Sequence, residues 1–163
     1  MTRTVRLTSI ALLVALTSVA TLFLKVPGPT GYYHLGDGVY YAAAIAFGPA
    51  AGALAGGLGG AIADVLGGWA HWAPVTLVLK GLGGWLAGRL GRSAQSAAGR
   101  IAALLPAAAL TLFGYPLVTW QITGWPAALT EFYFNLGQVA AGLIVAALLV
   151  PVLERATRSW RRP

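Results

Sequence analysis

A bundle of membrane-spanning helices is the fold class this sequence predicts, and three observations predict it. Hydrophobic residues fill 58% of the 163 positions and charged residues only 9%, whereas an ordinary soluble domain is about 25% charged. Mean hydropathy is +0.74. Several apolar runs are long enough to cross about 30 Å of hydrocarbon at about 1.5 Å per residue. The expectation is an all-α integral membrane protein: one domain over residues 1–163, a compact six-transmembrane-helix bundle, with both termini cytoplasmic.

The first helix is expected at about 5–24, an apolar run from Val5 to Leu24 closed by Lys25 and the breaker VPGPTG. Arg3 and Arg6 ahead of it and the small residues SVA inside it resemble a secretory signal. The apolar run passes through that site into TLFL, however, and so exceeds the usual 7–15 residues of such a segment. The stretch from Gly36 to Leu66 is too long for one crossing, at about 46 Å as a single helix. Gly48 and Pro49 break it, because proline lacks a backbone donor and disfavours helix in the residue before it, giving helices at about 36–48 and 50–66. Three further runs give helices at about 75–90, 101–121 and 129–153, followed by a short basic tail over 154–163.

Charge placement decides between five spans and six. With six spans and the N-terminus inside, Arg3, Arg6, Arg89, Arg92, Arg100, Arg155, Arg158, Arg161 and Arg162 all fall on the cytoplasmic side. Five spans would move the cluster at 89–100 outside, against the positive-inside tendency. The net charge of +7 is therefore a topology signal in a chain whose surroundings are membrane lipid, and no nucleic-acid partner is expected.

Under this topology Lys25, His34, Asp37, Asp64, His71, Lys80 and Glu131 lie in outer loops or the outer halves of helices. Ionisable groups at membrane depth cost roughly 2.5–3.5 kcal/mol each at a helix centre, so they face a partner or a wet cavity. One outward-facing polar cavity accounts for the set. Gly52, Gly56, Gly60 and Asp64 recur every fourth residue along one helix stripe, a packing seam that ends in a carboxylate. Asp64 is expected either to pair with a snorkelling Lys80 or to meet a ligand. Asp37 suits the N-cap of the second helix as well as a binding role. Glu131, Asn135 and Gln138, spaced i, i+4, i+7, put one polar face on an apolar helix; Thr111, Tyr115 and Thr119 make a weaker parallel. Tyr32, Tyr33, Tyr40, Tyr41, Trp69, Trp72, Trp120 and Trp125 form an interfacial belt, some of which suits a flat ring. A metal site from His34, Asp37 and His71 fits no standard ligand spacing, so no metal is expected.

Cysteine is absent, which excludes disulfides, thiolate chemistry and cysteine metal sites. There is no GxxxxGK[ST] phosphate loop, GxSxG elbow or HExxH pair, so no ATP hydrolysis is expected of this chain. Nor do two halves repeat broken hydrophobic segments as a secondary transporter would.

The run GYYHLGDGVYYAAAIAFGPAAGALAGGLGGAIADVLGGWAHWAPVTLVLKGLGGWLAGRLG, with its LGD, FGPxAGAxAGGLG, AD and APxTLxxKGL elements, resembles the S component of energy-coupling factor (ECF) vitamin importers. The likeness covers about residues 1–153 and is greatest to the riboflavin-type or hydroxymethylpyrimidine-type subgroup. Membership implies a non-enzymatic, six-helix subunit without a cofactor in a prokaryotic plasma membrane. It would capture a vitamin from outside and dock onto an ECF scaffold (T) subunit driven by two cytoplasmic ATPase subunits. The family's A-x-x-x-A docking motif falls on Ala11 and Ala15 of ALLVA. The family's binding region implicates Tyr32, Tyr33, His34, Asp37, Asp64, Trp69, His71, Lys80, Glu131 and Asn135. The loop VPGPTGYYH is suited to act as a lid. Strand-like and nickel-binding features of other subgroups, such as an N-terminal MH, are not apparent.

The polar set suits a small polar heterocycle such as pyridoxine, hydroxymethylpyrimidine or thiamine, and a one-ring vitamin above all, since glycine-rich second and third helices leave little room for a tricycle. Riboflavin is the alternative. Two readings from other classes stand beside it: a stand-alone proton- or potential-coupled carrier or channel with Asp64, Lys80 and Glu131 as relay, and an intramembrane metal enzyme using His34 and His71.

Overall fold

A computed structural model of the chain describes residues 3–28 and 32–157. Six helical rods account for most of them. Helix α1 spans Arg3–Phe23, α2 Gly36–Phe47, α3 Pro49–Leu66, α4 Ala73–Gly91, α5 Ala97–Thr123 and α6 Trp125–Thr157. Four are long and apolar enough to cross a membrane: α1, α3, α5 and α6. The last two begin four residues earlier than the apolar runs suggested, and α6 also ends later, because capping and the alanine-rich approach at 97–100 extend helix beyond the hydrophobic segment. Ser96 caps α5 by accepting from the Gly99 N–H at 3.0 Å.

The link from α1 to α2 departs from the expected loop. Lys25–Pro27 (β1) and Tyr32–His34 (β2) pair antiparallel, with Lys25 opposite His34 and Val26 opposite Tyr33. The alternation in YYH explains it: Tyr33 turns inward to stack on Phe134, ring centroids 4.7 Å apart. The paired backbone satisfies donors and acceptors that a loop would leave to water. A strand-like feature is thus present after all. Residues 29–31, the tip of the expected lid, lie outside the described residues.

Helix α2 is the central post. It has only 12 residues, about 18 Å of rise, and Tyr40 and Tyr41 are fully buried within it. The break after it falls where the sequence placed it. Gly48 adopts φ +90°, a backbone region that only glycine enters without strain, and Pro49 then opens α3, where a missing N–H costs nothing.

Glycine brings α3 against α4. A Cβ on Gly56 would lie 2.7 Å from the Lys80 carbonyl oxygen, and one on Gly60 2.6 Å from Thr76 Cγ2. The four-residue stripe is therefore a contact seam whose next residue, Asp64, emerges at its end beside α4. Helix α5 contains a widened π turn over Leu110–Gly114, four residues after Pro106. Such a turn leaves main-chain acceptors to be met from outside the helix, and Asn135 Nδ2 of α6 donates to the Thr111 carbonyl at 3.3 Å.

The helices alternate in direction between two ends. Arg6, Gly48, Arg92, Arg100 and Glu154 gather at one. His34, Asp64, Lys80 and Glu131 gather at the other. Arginine and the ionisable residues of the apolar segments are thus segregated along the bundle axis, as the charge pattern suggested.

Candidate functional site

The polar end encloses a small cavity of about 40 Å³ lined by Thr21, Tyr32, His34, Gly60, Asp64, Trp72, Thr76, Lys80, Tyr115, Glu131, Asn135 and Gln138. These come from α1, β2, α3, α4, α5 and α6, so the site forms only when the whole bundle closes. Beneath it lies an ion pair. Lys80 Nζ donates to Asp37 Oδ1 at 2.7 Å, with the lysine 3% and the aspartate 0% exposed. Asp37 Oδ2 accepts from Gln138 Nε2 at 2.8 Å, while Gln138 Oε1 accepts from the His34 N–H at 3.1 Å. That second bond fixes the amide orientation, since only the oxygen accepts. The network ties β2, α2, α4 and α6 together at one level.

This corrects three expectations. Lys80 pairs with Asp37, not Asp64, and does not snorkel outward. Asp37 is not the N-cap of α2: that position is Leu35, with no side-chain capping bond. The reason lies in the glycine seam, which draws α4 so close to α2 and α3 that Lys80 sits over the first turn of α2, where an ammonium can neutralise a buried carboxylate.

His34 sits at the cavity wall. Its Nδ1 accepts from the Gly36 N–H at 3.1 Å, and its Nε2 lies 2.9 Å from Lys80 Nζ. A neutral imidazole has one lone-pair nitrogen, so the two contacts compete for it. Burial, with help from the Lys80 charge, lowers the His34 pKa to about 3, and the ring stays neutral at physiological pH.

Asp64 stands at the rim end of the seam. Its Oδ1 accepts from the Tyr32 hydroxyl at 2.6 Å, and burial together with that carboxylate holds the Tyr32 phenol well above its usual range. Its Oδ2 is buried and has no hydrogen-bond partner among the described residues, and the same is true of Thr21 Oγ1. Both residues line the cavity. A buried carboxylate oxygen without a donor costs free energy unless something else supplies the proton. Opposite, Glu131 and Asn135 share one face of α6, and the Tyr115 hydroxyl donates to Thr76 Oγ1 at 2.9 Å.

Six of the ten residues expected around a ligand therefore line the cavity: Tyr32, His34, Asp64, Lys80, Glu131 and Asn135. Asp37 lies just below, reached through Lys80. Tyr33, Trp69 and His71 do not line it. Tyr33 is turned into the α6 contact. Trp69 leans on Tyr32 at 6.2 Å between centroids. His71 packs beside Trp69 and Trp72, so the structure does not bring it to His34 and Asp37. Among the described residues no group of three His, Asp or Glu side chains is placed to hold a metal ion. Thr21 and Thr76 were missed, because a threonine within an apolar helix ordinarily bonds back to its own backbone, as Thr17 does to the Leu13 carbonyl at 2.8 Å. Ala11 and Ala15, the expected docking pair, both lie on the exposed face of α1.

Comparison with known proteins supplies the identity of this arrangement. The chain is 31% identical over 140 residues, 85% of its own length and 94% of the relative's, to an "Uncharacterized protein in gap 3'region" of Pyrococcus woesei. It is also 31% identical over 153 residues, 92% of this chain and 88% of the other, to "Thiamine precursor transporter HmpT" of Lactococcus lactis subsp. cremoris (strain MG1363). Residues 1–155 match the sequence model described as "ECF-type riboflavin transporter, S component". Matched over nearly its whole length, this apolar helical bundle with one polar end belongs to the family of ECF-type transporter S components.

Proposed function

We propose that this chain is the capture subunit of an ECF importer for a small one-ring heterocycle of the thiamine-precursor kind, held in the cavity between Asp64 and Glu131. The observation that carries the reading is the buried Asp64 Oδ2, which has no donor among the described residues and shares the cavity wall with Thr21 Oγ1. An aminopyrimidine edge presents the N–H donors such acceptors lack, and Trp72 and Tyr115 supply faces for a ring. The name of the Lactococcus relative points to the same substrate class.

Orientation follows from charge. The arginine end faces the cytoplasm and the cavity faces the medium, with all six helices embedded in a prokaryotic plasma membrane and the short α2 buried among the others. The β1–β2 hairpin carries Tyr32 and His34 and covers the cavity, so its displacement admits the ligand. Asp64, Glu131 and Asn135 orient the ring, Lys80 and Asp37 keep the floor rigid, and Ala11 and Ala15 offer the T subunit a flat face. Two partner ATPases supply the energy.

The test is uptake of labelled hydroxymethylpyrimidine, thiamine, pyridoxine and riboflavin by cells with and without the T and ATPase subunits. Uptake of a one-ring compound that stops when those subunits are removed is the expected result. Preference for riboflavin would assign the tricycle instead. Uptake that survives without the ATPases and follows membrane potential or pH would make the protein a stand-alone carrier.

A further inference from the structure

A second cavity, of about 380 Å³, opens at the arginine end. Arg6 from α1, Arg92 from the α4–α5 turn and Arg100 from α5 line it, with Glu154 of α6 the acidic member of its lining. Arg100 Nη1 donates to Glu154 Oε2 at 2.7 Å, so three positive charges converge on a concavity whose lining holds one negative charge. The α2–α3 turn is shaped around them. A Cβ on Gly48 would stand 3.1 Å from Arg92 Nη2 and 3.2 Å from its Nε, and Gly48 opens α3, whose N-terminal dipole adds positive potential at the same place. The opposite wall is apolar, from Ile45 and Phe47 at the end of α2.

We propose that this cavity binds the phosphate of an anionic phospholipid from the cytoplasmic leaflet. Guanidinium groups match phosphate oxygens in pairs. A basic pocket between helices at the cytoplasmic face is a headgroup site by position and charge, and the Ile45–Phe47 wall suits the glycerol and first methylenes of a lipid rather than a wholly hydrated ion. The chain's own tail is a poor occupant, since beyond Glu154 it carries Arg155, Arg158, Arg161 and Arg162 and no acid. The site lies at the opposite end from the vitamin cavity and stands whether or not the substrate assignment is right.

Native mass spectrometry of the full chain in detergent, titrated with phosphatidylglycerol, phosphatidylcholine or inorganic phosphate, tests it. Phosphatidylglycerol should be retained in preference to phosphatidylcholine. The double variant Arg6→Gln/Arg92→Gln should lose that preference by about fivefold for each arginine removed, with an unchanged melting temperature as the control for folding. Glu154→Gln should strengthen retention, an effect opposite to that of simple destabilisation. Equal retention of the two lipids, a preference that survives the double variant, or inorganic phosphate displacing the lipid at equal concentration would each overturn the proposal. So would phosphatidylglycerol binding that an acidic peptide displaces, which would make the cavity a protein-docking site.

Discussion

Lys80 and Asp37 are buried together, 3% and 0% exposed, and each depends on the other. Removing one partner leaves an uncompensated charge in a low-dielectric interior. Asp37→Asn or Lys80→Met should each destabilise the protein by about 3–5 kcal/mol, read as the unfolding midpoint in detergent. The double change Asp37→Leu/Lys80→Met should cost less than the sum of the two single losses, because no charge remains unpaired. His34 makes stability depend on pH. Its folded pKa of about 3 lies below the ordinary imidazole value of 6.5, so between those values the unfolded chain binds the extra proton. Its contribution is then complete above about pH 6.5 and is lost as pH falls from there towards about 3. Denaturation midpoints measured across that interval should fall with pH in the parent and fall less steeply in His34→Gln. At the cavity rim, Asp64→Asn removes one acceptor and places an N–H where a ligand donor would sit. Isothermal titration should show vitamin affinity reduced about tenfold to a hundredfold with little change in melting temperature. The gathering of Asp37, Asp64, Lys80 and Glu131 at one end was legible in the sequence, since charges in apolar segments must be partnered or wet. Which acid meets Lys80 was not, because that depends on how closely three helices approach.

At the scale of elements, the glycine seam between α3 and α4 sets that approach. A Cβ added to Gly88 would stand 2.5 Å from Pro49 N, and one on Gly56 2.7 Å from the Lys80 carbonyl. Backbone cannot yield as a flexible side chain does. Gly56→Ala should therefore cost about 1–3 kcal/mol and move Lys80 off Asp37, whereas Gly137→Ala, which meets nothing within 4 Å, should be neutral or slightly stabilising. Thermal unfolding of the two variants side by side decides the matter. The every-fourth-residue stripe and the Gly48–Pro49 break were readable because helix periodicity and proline chemistry are local. The hairpin Lys25–Pro27 with Tyr32–His34 was not, because its pairing is stabilised by contacts such as Tyr33 on Phe134, a hundred residues away along the chain. The π turn over Leu110–Gly114 likewise follows from Asn135 reaching a carbonyl on a neighbouring helix.

For the molecule as a whole, segregation of charge along the bundle axis predicts its orientation. The chain lacks cysteine, so introduced thiols report without background. In intact cells a membrane-impermeant maleimide should label Ala70→Cys, in the turn before α4, while Ser93→Cys, after α4, should react only once the cells are opened. The reverse pattern would invert the bundle and remove the basis for capture from outside. The shortness of the central post has a further bearing on transport. Asp37 stands in the first turn of α2 and the arginine end begins where its twelve residues finish, about 18 Å of rise against a hydrocarbon layer about 30 Å deep. On the importer reading, a solute resting above Asp37 would have about 18 Å of bundle beneath it rather than the full ~30 Å of hydrocarbon, and that shorter stretch is what the partner subunits would have to open.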